Sequence, residues 1–386
     1  MKSLRRFLDK IKPNFEKGGK FNKLHSTFEG FETFLFVPNT TTKQGSHIRD
    51  TMDLKRTMSV VVFALIPCLL FGMWNVGFQH FASIGVSSDF WTTFFYGFLR
   101  VIPIVLVSYI VGLGIEFAFA QARNHEINEG FLVSGMLIPL IMPVDVPLWM
   151  VALATAFAVV IGKEIFGGTG MNIWNPALLA RAFVFFSYPS HMSGDKVWVS
   201  ELSNAQSVAD GFSGATPLAQ ASAGLDLPSA CDMFVGLIPG SIGETSKIAI
   251  LLGAAVLIFT GIGSWKIMLS GIIGTLAIGY LFNAVAGDNT YMAIPPHYHL
   301  LMGGLLFGLI FMATDPVSAA QTETGKWIYG FLIGAFVVII RVFNPAYPEG
   351  TMLVILFLNT FAPLIDHYVV EANIRRRMKR SKAKVS

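Results

Sequence analysis

Ten stretches, each long and apolar enough to cross or re-enter a lipid bilayer, constrain this 386-residue chain more than any other feature of its sequence. They run at about 57–78, 98–120, 131–144, 148–166, 175–189, 246–262, 266–286, 301–314, 327–342 and 351–370. A crossing helix needs about 20 apolar residues, and a shorter one is tolerated where it is broken and buried in protein. A membrane β-barrel would alternate polar and apolar residues over segments of about 10, and runs such as Val101–Gly114 and Met352–Phe361 do not alternate. Only 13% of the residues are charged against 53% hydrophobic, where an average soluble protein has roughly 25% charged. That excludes an ordinary soluble enzyme and predicts an all-α integral membrane protein of about ten transmembrane helices.

The charges predict its orientation. Residues 1–56 carry 12 of the 28 Lys and Arg, and residues 371–386 carry 7 more, so both basic ends are expected in the cytoplasm. An even number of spans follows. The stretch between them has 9 basic and 17 acidic residues, which leaves a nucleic-acid reading without support. The polar N-terminus argues against a cleaved signal peptide, so the first span is expected to direct insertion. Cys68 falls in a span and Cys231 in a loop, too few and too far apart for a Cys-ligated metal site.

Asp145 and Asp315 each follow a short Gly-containing apolar segment, and each is followed by Asn-Pro-Ala, at Asn175 and Asn344. That pattern divides the chain into a basic cytoplasmic extension (1–56), a first five-helix repeat (57–189), an external loop (190–245), a second repeat (246–370) and a basic cytoplasmic tail (371–386). Five is odd, so the second repeat is predicted to be inverted, the plan of many transporters with short broken helices at a central site. Asn-Pro-Ala has a plainer reading too, with Asn capping a helix and Pro in its first turn.

The external loop contains Asp210-Gly-Phe-Ser-Gly-Ala-Thr216-Pro217. Small residues before a threonine leave its hydroxyl open to a phosphate or a modifying enzyme; taken alone, the string is equally a turn. Further strings decide what it resembles: His125-Glu-Ile-Asn-Glu-Gly130, Lys163-Glu-Ile-Phe-Gly-Gly-Thr-Gly170, Asn175-Pro-Ala, Phe311-Met-Ala-Thr-Asp-Pro-Val-Ser318 and Asn344-Pro-Ala-Tyr-Pro-Glu-Gly350. With Ser213-Gly214-Ala215-Thr216, and from about residue 50 onward, the chain resembles the B subunits of the bacterial Na+-translocating NADH:quinone oxidoreductases.

The resemblance implies a multi-pass subunit of the bacterial inner membrane in which Thr216 carries FMN through a phosphoester, riboflavin is held non-covalently, and electrons pass to ubiquinone coupled to Na+ export. It also implies partner subunits, among them a periplasmic flavin subunit and an NADH-oxidising iron-sulfur flavoprotein. The related D subunit of the Rnf complex shares the Ser-Gly-Ala-Thr string but lacks the long N-terminal extension. Pro217 directly after the acceptor departs from the pattern without touching the tetrapeptide. A secondary carrier with no redox role is the reading that the repeat alone would suggest.

Around that framework stand further candidates. Asn172, Asn175 and Arg181, at the start of the fifth span, are read either as caps plus a paired base or as polar contacts to a flavin or quinone ring. His125, Glu126, Glu129 and Gly130 form a solvated loop or, by the resemblance, the neighbourhood of the quinone, with Glu129 and Gly130 closest. Asp145, Asp315, Asp366 and Glu126 are the oxygen donors a Na+ path could use; the plainer reading has Asp315 capping the turn after it and Asp366 pairing with a base. His297 and His299 are expected at the interface, not on a metal. No Walker loop, dinucleotide Gly fingerprint or cysteine cluster is present, so NADH and iron-sulfur chemistry are expected elsewhere, and no side chain of this chain is expected to be catalytic.

Overall fold

The computed structural model describes residues 53–123, 130–202, 212–287, 289–344 and 350–385, together with 2–15 and scattered positions between 19 and 50. Among the described residues every regular element is a helix. A polar helix α1 (Lys2–Ile11) precedes the apolar body. There, Asp53 caps α2 (Leu54–Ser83) by accepting from the Arg56 amide, and α3 (Phe90–Arg123) returns alongside it. Gly97 lies against the Met73 carbonyl and Gly77 against that of Thr93, so any side chain at either position would push the pair apart.

The short α4 (Phe131–Leu140) follows, then α5 (Leu148–Val159), continued by a π turn at Val160–Glu164, and α6 (Pro176–Ser187). Short helices α7 (Pro189–Met192), α8 (Pro217–Ser222) and α9 (Ala230–Val235) lie in the connection to α10 (Lys247–Phe259). Beyond it run α11 (Trp265–Val285), α12 (Tyr298–Leu301), and α13 (Leu305–Phe307) with a π turn at Gly308–Met312. Two long helices end the chain, α14 (Glu323–Phe343) and α15 (Thr351–Val385).

Five of these helices are long and apolar enough to cross a membrane: α2, α3, α11, α14 and α15 as far as Arg380. Each of the ten apolar stretches contains a helix, the shortest being α13 with its π turn. Phe63, Leu99, Ile110, Phe259 and Tyr280 are among the large apolar side chains left on the outside, where lipid would cover them at little cost.

The two halves share one apolar core, which takes in α2 to α6 together with α10, α11 and α13 to α15. Their short helices also end on one another. The last carbonyls of a helix need donors from elsewhere, and those at and after the end of α4 receive them from the connection just before α10: Gly243 N–H donates to Leu140 and Ile242 N–H to Met142. In return, the Asn175 amide of the first half lies 3.5 Å from the Met312 carbonyl. A second, smaller core seats the connection between α6 and α10, with Leu218, Met233 and Ile238 packed against Met302 and Val338.

The two Asn-Pro-Ala strings do not play the same part. Asn175 caps α6, accepting from the Ala177 and Leu178 amides at 3.0 and 3.4 Å. Asn344 instead closes α14, donating its N–H to Ile340, and α15 begins only at Thr351. Residues 345–349 lie outside the described residues.

Candidate functional site

Two cavities gather several of the polar side chains that the sequence singles out; α6 begins at one and, through Arg181, pairs with a wall residue of the other. The larger, of about 80 Å³, lies where α4, the α5 π turn, the start of α6 and the segment after α13 converge. Gly130, Lys163, Thr169, Asn172, Asn175 and Asp315 supply its polar wall, and Leu137, Leu257 and Phe311 its apolar one. A side chain at Gly130 would meet Thr169 Cγ2 at 2.5 Å, so the wall is closely packed there. Asn172 donates to the Trp174 carbonyl at 3.0 Å. Asp315 accepts from Ser318 Oγ at 2.7 Å and from the Val317 amide at 3.4 Å, so it caps the turn after it, as its plainer reading expects.

Lys163 is the member of this cavity that sequence reading passes over. Its ammonium pairs with Glu116 of α3, and both side chains are only 6% exposed. The neighbouring Glu164 accepts from Arg123 at 3.0 Å. The signal was present: a carboxylate inside an apolar helix needs a buried partner, and Glu116 is such a residue. The π turn then sets Lys163 and Glu164 toward α3; such bulges are frequent at functional sites.

The smaller cavity, of about 20 Å³, is lined by Thr216, Pro239, Gly240, Ser241, Glu244, Thr245, Lys247 and Gly303. Thr216 is 8% exposed rather than open, and its hydroxyl caps α8, accepting from the Ala219 amide at 3.3 Å. The preceding residues explain its placement. Gly214 is pressed on the Asp195 carbonyl, where no side chain fits, Ser213 Oγ accepts from the Ala215 amide, and the Ala215 carbonyl accepts from Gln220. Pro217 fits this turn as the first residue of α8, needing no N–H of its own.

Arg181 belongs here and not with Asn172 and Asn175. It pairs with Glu244 at 3.1 Å, with both side chains largely buried. Lys247, fully buried at the start of α10, donates to the Glu244, Thr245 and Gly303 carbonyls at 2.8, 3.3 and 3.2 Å. Arg341 of α14, equally buried, donates to the His299 and Met302 carbonyls, the latter at 3.1 Å. These residues escaped sequence reading, although Gly240-Ser-Ile-Gly-Glu-Thr-Ser-Lys247 is a glycine-bearing, hydroxyl-rich string leading into an apolar helix.

The remaining carboxylates are scattered. Asp145 accepts from the Glu201 amide at 2.6 Å and Ser200 Oγ at 3.3 Å, and burial raises its carboxyl above the usual range. Among the described residues Asp366 pairs with no base: it accepts from the Gln321 and Thr322 amides at 2.7 and 2.9 Å and from the Thr322 hydroxyl, fixing the start of α14. His297 is exposed whereas His299 is buried, so the two do not share an interfacial position. Among the described residues no cluster of His, Cys, Asp and Glu could hold a metal. His125, Glu126 and Glu129 lie outside the described residues.

Known proteins resemble this chain over nearly its whole length. The B subunit of the Na+-translocating NADH-quinone reductase of Stutzerimonas stutzeri is 48% identical over 98% of this chain and 99% of its own length. The corresponding B subunit of Pseudomonas aeruginosa is likewise 48% identical over 98% and 99%, and that of Chromohalobacter salexigens 47% over 98% and 97%. One family model matches residues 41–375. The chain belongs to the NQR2, RnfD, RnfE family.

Proposed function

We propose that this chain is the membrane subunit of a Na+-pumping NADH:quinone oxidoreductase that carries FMN on Thr216, holds riboflavin non-covalently and passes electrons to ubiquinone. Near-complete coverage of the reductase B subunits at 48% identity supports the complex. The flavin reading is carried by one observation: the Thr216 hydroxyl lines a buried polar cavity with Lys247, close to Arg181 and Arg341. A phosphoester is an anion, and that setting suits one. A flavin supplies one- and two-electron transfer through its ring. The protein's share is then to tether, orient and exclude water.

Around the larger cavity, Asn172, Asn175, Thr169 and Lys163 offer amide, hydroxyl and ammonium donors to the oxygens at the edge of a flat ring, beside the apolar wall of Phe311 and Leu257. Donors opposite an apolar wall are what a heteroaromatic ligand requires. Gly130, in the wall of this cavity, is the described residue that adjoins the loop the resemblance assigns to quinone. Ten spans in two inverted repeats, with both termini cytoplasmic and Thr216 outside, complete the reading, and the reciprocal endings of α4 and α13 support the repeat. A periplasmic flavin subunit and an NADH-oxidising iron-sulfur flavoprotein would be the partners.

The test is mass spectrometry of the peptide containing Thr216 from the assembled complex. An added FMN on Thr216, absent in Thr216→Ala, is expected; covalent flavin retained in that variant refutes the assignment. The family also includes Rnf proteins, and ubiquinone reduction by the purified complex separates the two: an Rnf-type subunit would not support it.

A further inference from the structure

The cavity behind Thr216 is lined by two hydroxyl residues whose hydroxyls are unmatched among the described residues. Ser241 Oγ and Thr245 Oγ1 are buried, with residue exposures of 2% and 3%, and neither has a hydrogen-bond partner among the described residues. Both residues line the same space as Thr216. A buried polar group left unmatched costs about 1–3 kcal/mol, so two of them facing one cavity mark a place where acceptors belong.

The charges around the cavity name the kind of acceptor. Lys247 lines it directly, Arg181 reaches it through Glu244, and Arg341 stands behind Gly303, its Nη2 3.5 Å from where a Gly303 side chain would begin. Among the described residues, Glu244 is the carboxylate that lines it, and Arg181 holds it. The Lys247 ammonium has three protons and three carbonyl acceptors. It is therefore committed to holding the loop, while its charge is not neutralised by those carbonyls. A space of about 20 Å³ has room for small polar groups and none for three fused rings.

We propose that Ser241, Thr245 and the Gly240–Lys247 loop form a phosphate cradle for the group carried on Thr216. The Ser241 and Thr245 hydroxyls donate to the two non-bridging oxygens of the phosphodiester, and Lys247 balances its charge. This rests on the reading of Thr216 as the flavin acceptor. The cradle holds the phosphate alone, and the flavin ring lies beyond it.

The experiment follows covalent loading in membranes containing the assembled complex, with flavin transferase and its flavin donor added. In-gel flavin fluorescence gives the rate, and phosphorus NMR of the loaded complex reports the surroundings of the phosphate. Ser241→Ala and Thr245→Val are each expected to slow incorporation about threefold, and the double variant about tenfold or more. In the double variant the phosphorus resonance should move toward that of a solvated phosphodiester. Thr245→Ser, which keeps the hydroxyl, should load as the wild type does and so excludes a general folding defect. Wild-type loading in the double variant, or an unmoved resonance, overturns the cradle while leaving Thr216 as acceptor. A wild-type complex without covalent flavin refutes both readings.

Discussion

Replacing Glu116 by Gln would leave the Lys163 ammonium beside the larger cavity without its carboxylate. Both side chains are 6% exposed, so solvent screens the pair little. Two unit charges about 4 Å apart at an effective dielectric of 20 attract by about 4 kcal/mol. Removing one partner of a buried pair costs about 3–5 kcal/mol, whereas exchanging both for apolar groups is close to neutral. Glu116→Gln should therefore lose about 3–5 kcal/mol, and Glu116→Gln with Lys163→Met should recover most of it, a coupling of about 3 kcal/mol. The more exposed Arg123–Glu164 pair, with the Arg123 side chain 37% exposed, provides the contrast: Arg123→Gln should cost about 1 kcal/mol or less. Reversible SDS titration of the purified protein in bicelles, followed by tryptophan fluorescence, measures each of these variants. A Glu116–Lys163 coupling below about 1 kcal/mol would refute the reasoning, because a buried pair must be worth more than a screened one.

His299, in the connection before α13, is buried, and that burial, with Arg341 nearby, pulls its pKa from 6.5 down to about 3. Its neutral form is therefore the folded one: the stability it contributes is present above pH 6.5 and is lost as pH falls toward 3, by about 1.4 kcal/mol per pH unit. Thermal unfolding of the detergent-solubilised complex from pH 7.5 to pH 5 should show this slope, and His299→Gln should flatten it. Gly334 of α14 is pressed on the Gly271 carbonyl of α11, whereas nothing lies near Gly114 of α3. Gly334→Ala should thus destabilise by about 1–3 kcal/mol and Gly114→Ala should be neutral or slightly stabilising, as SDS titration would report. Cysteines at Lys20 and Lys382 should resist labelling from outside intact cells, while one at Ser222 should label; the reverse pattern inverts the topology. Among Asp366→Asn, Asp315→Asn and Asp145→Asn, at least one should weaken Na+ stimulation of quinone reduction while covalent FMN persists, and unchanged stimulation in all three moves the cation path to a partner subunit.

The helices were legible because lipid imposes a length and an apolar composition that can be read locally. Their ends were less so. The apolar scan stops near residue 78, but α2 continues to Ser83, where His80 stacks on Tyr96 at 4.2 Å and bonds the Ser200 carbonyl. Polar residues can extend a helix when a neighbour receives them, and no window along the chain contains that neighbour. Likewise, α15 continues as a charged helix to Val385, past the basic residues that read as a tail.

Of the candidate residues, Thr216, Asn172, Asn175 and Asp315 reached cavities, because their strings were distinctive enough to be singled out. Ser241, Thr245, Lys247 and Arg341 stayed hidden, since their meaning comes only from contacts between segments far apart in the chain. Arg181 misled by proximity: six residues from Asn175, it lies about 9 Å farther along the helix, and its partner comes from the other half of the chain.

Helix α6 thus has Asn175 at one cavity and Arg181 at the edge of the other. A helix resists changes in length far better than the loops around it, since each turn is tied to the next by hydrogen bonds. The two residues behave like marks on a ruler. Sliding α6 along its axis shifts both by the same amount, and rotating it swings both through the same angle. Whatever occupies one cavity is therefore in mechanical register with whatever occupies the other, with no slack between them to absorb a displacement.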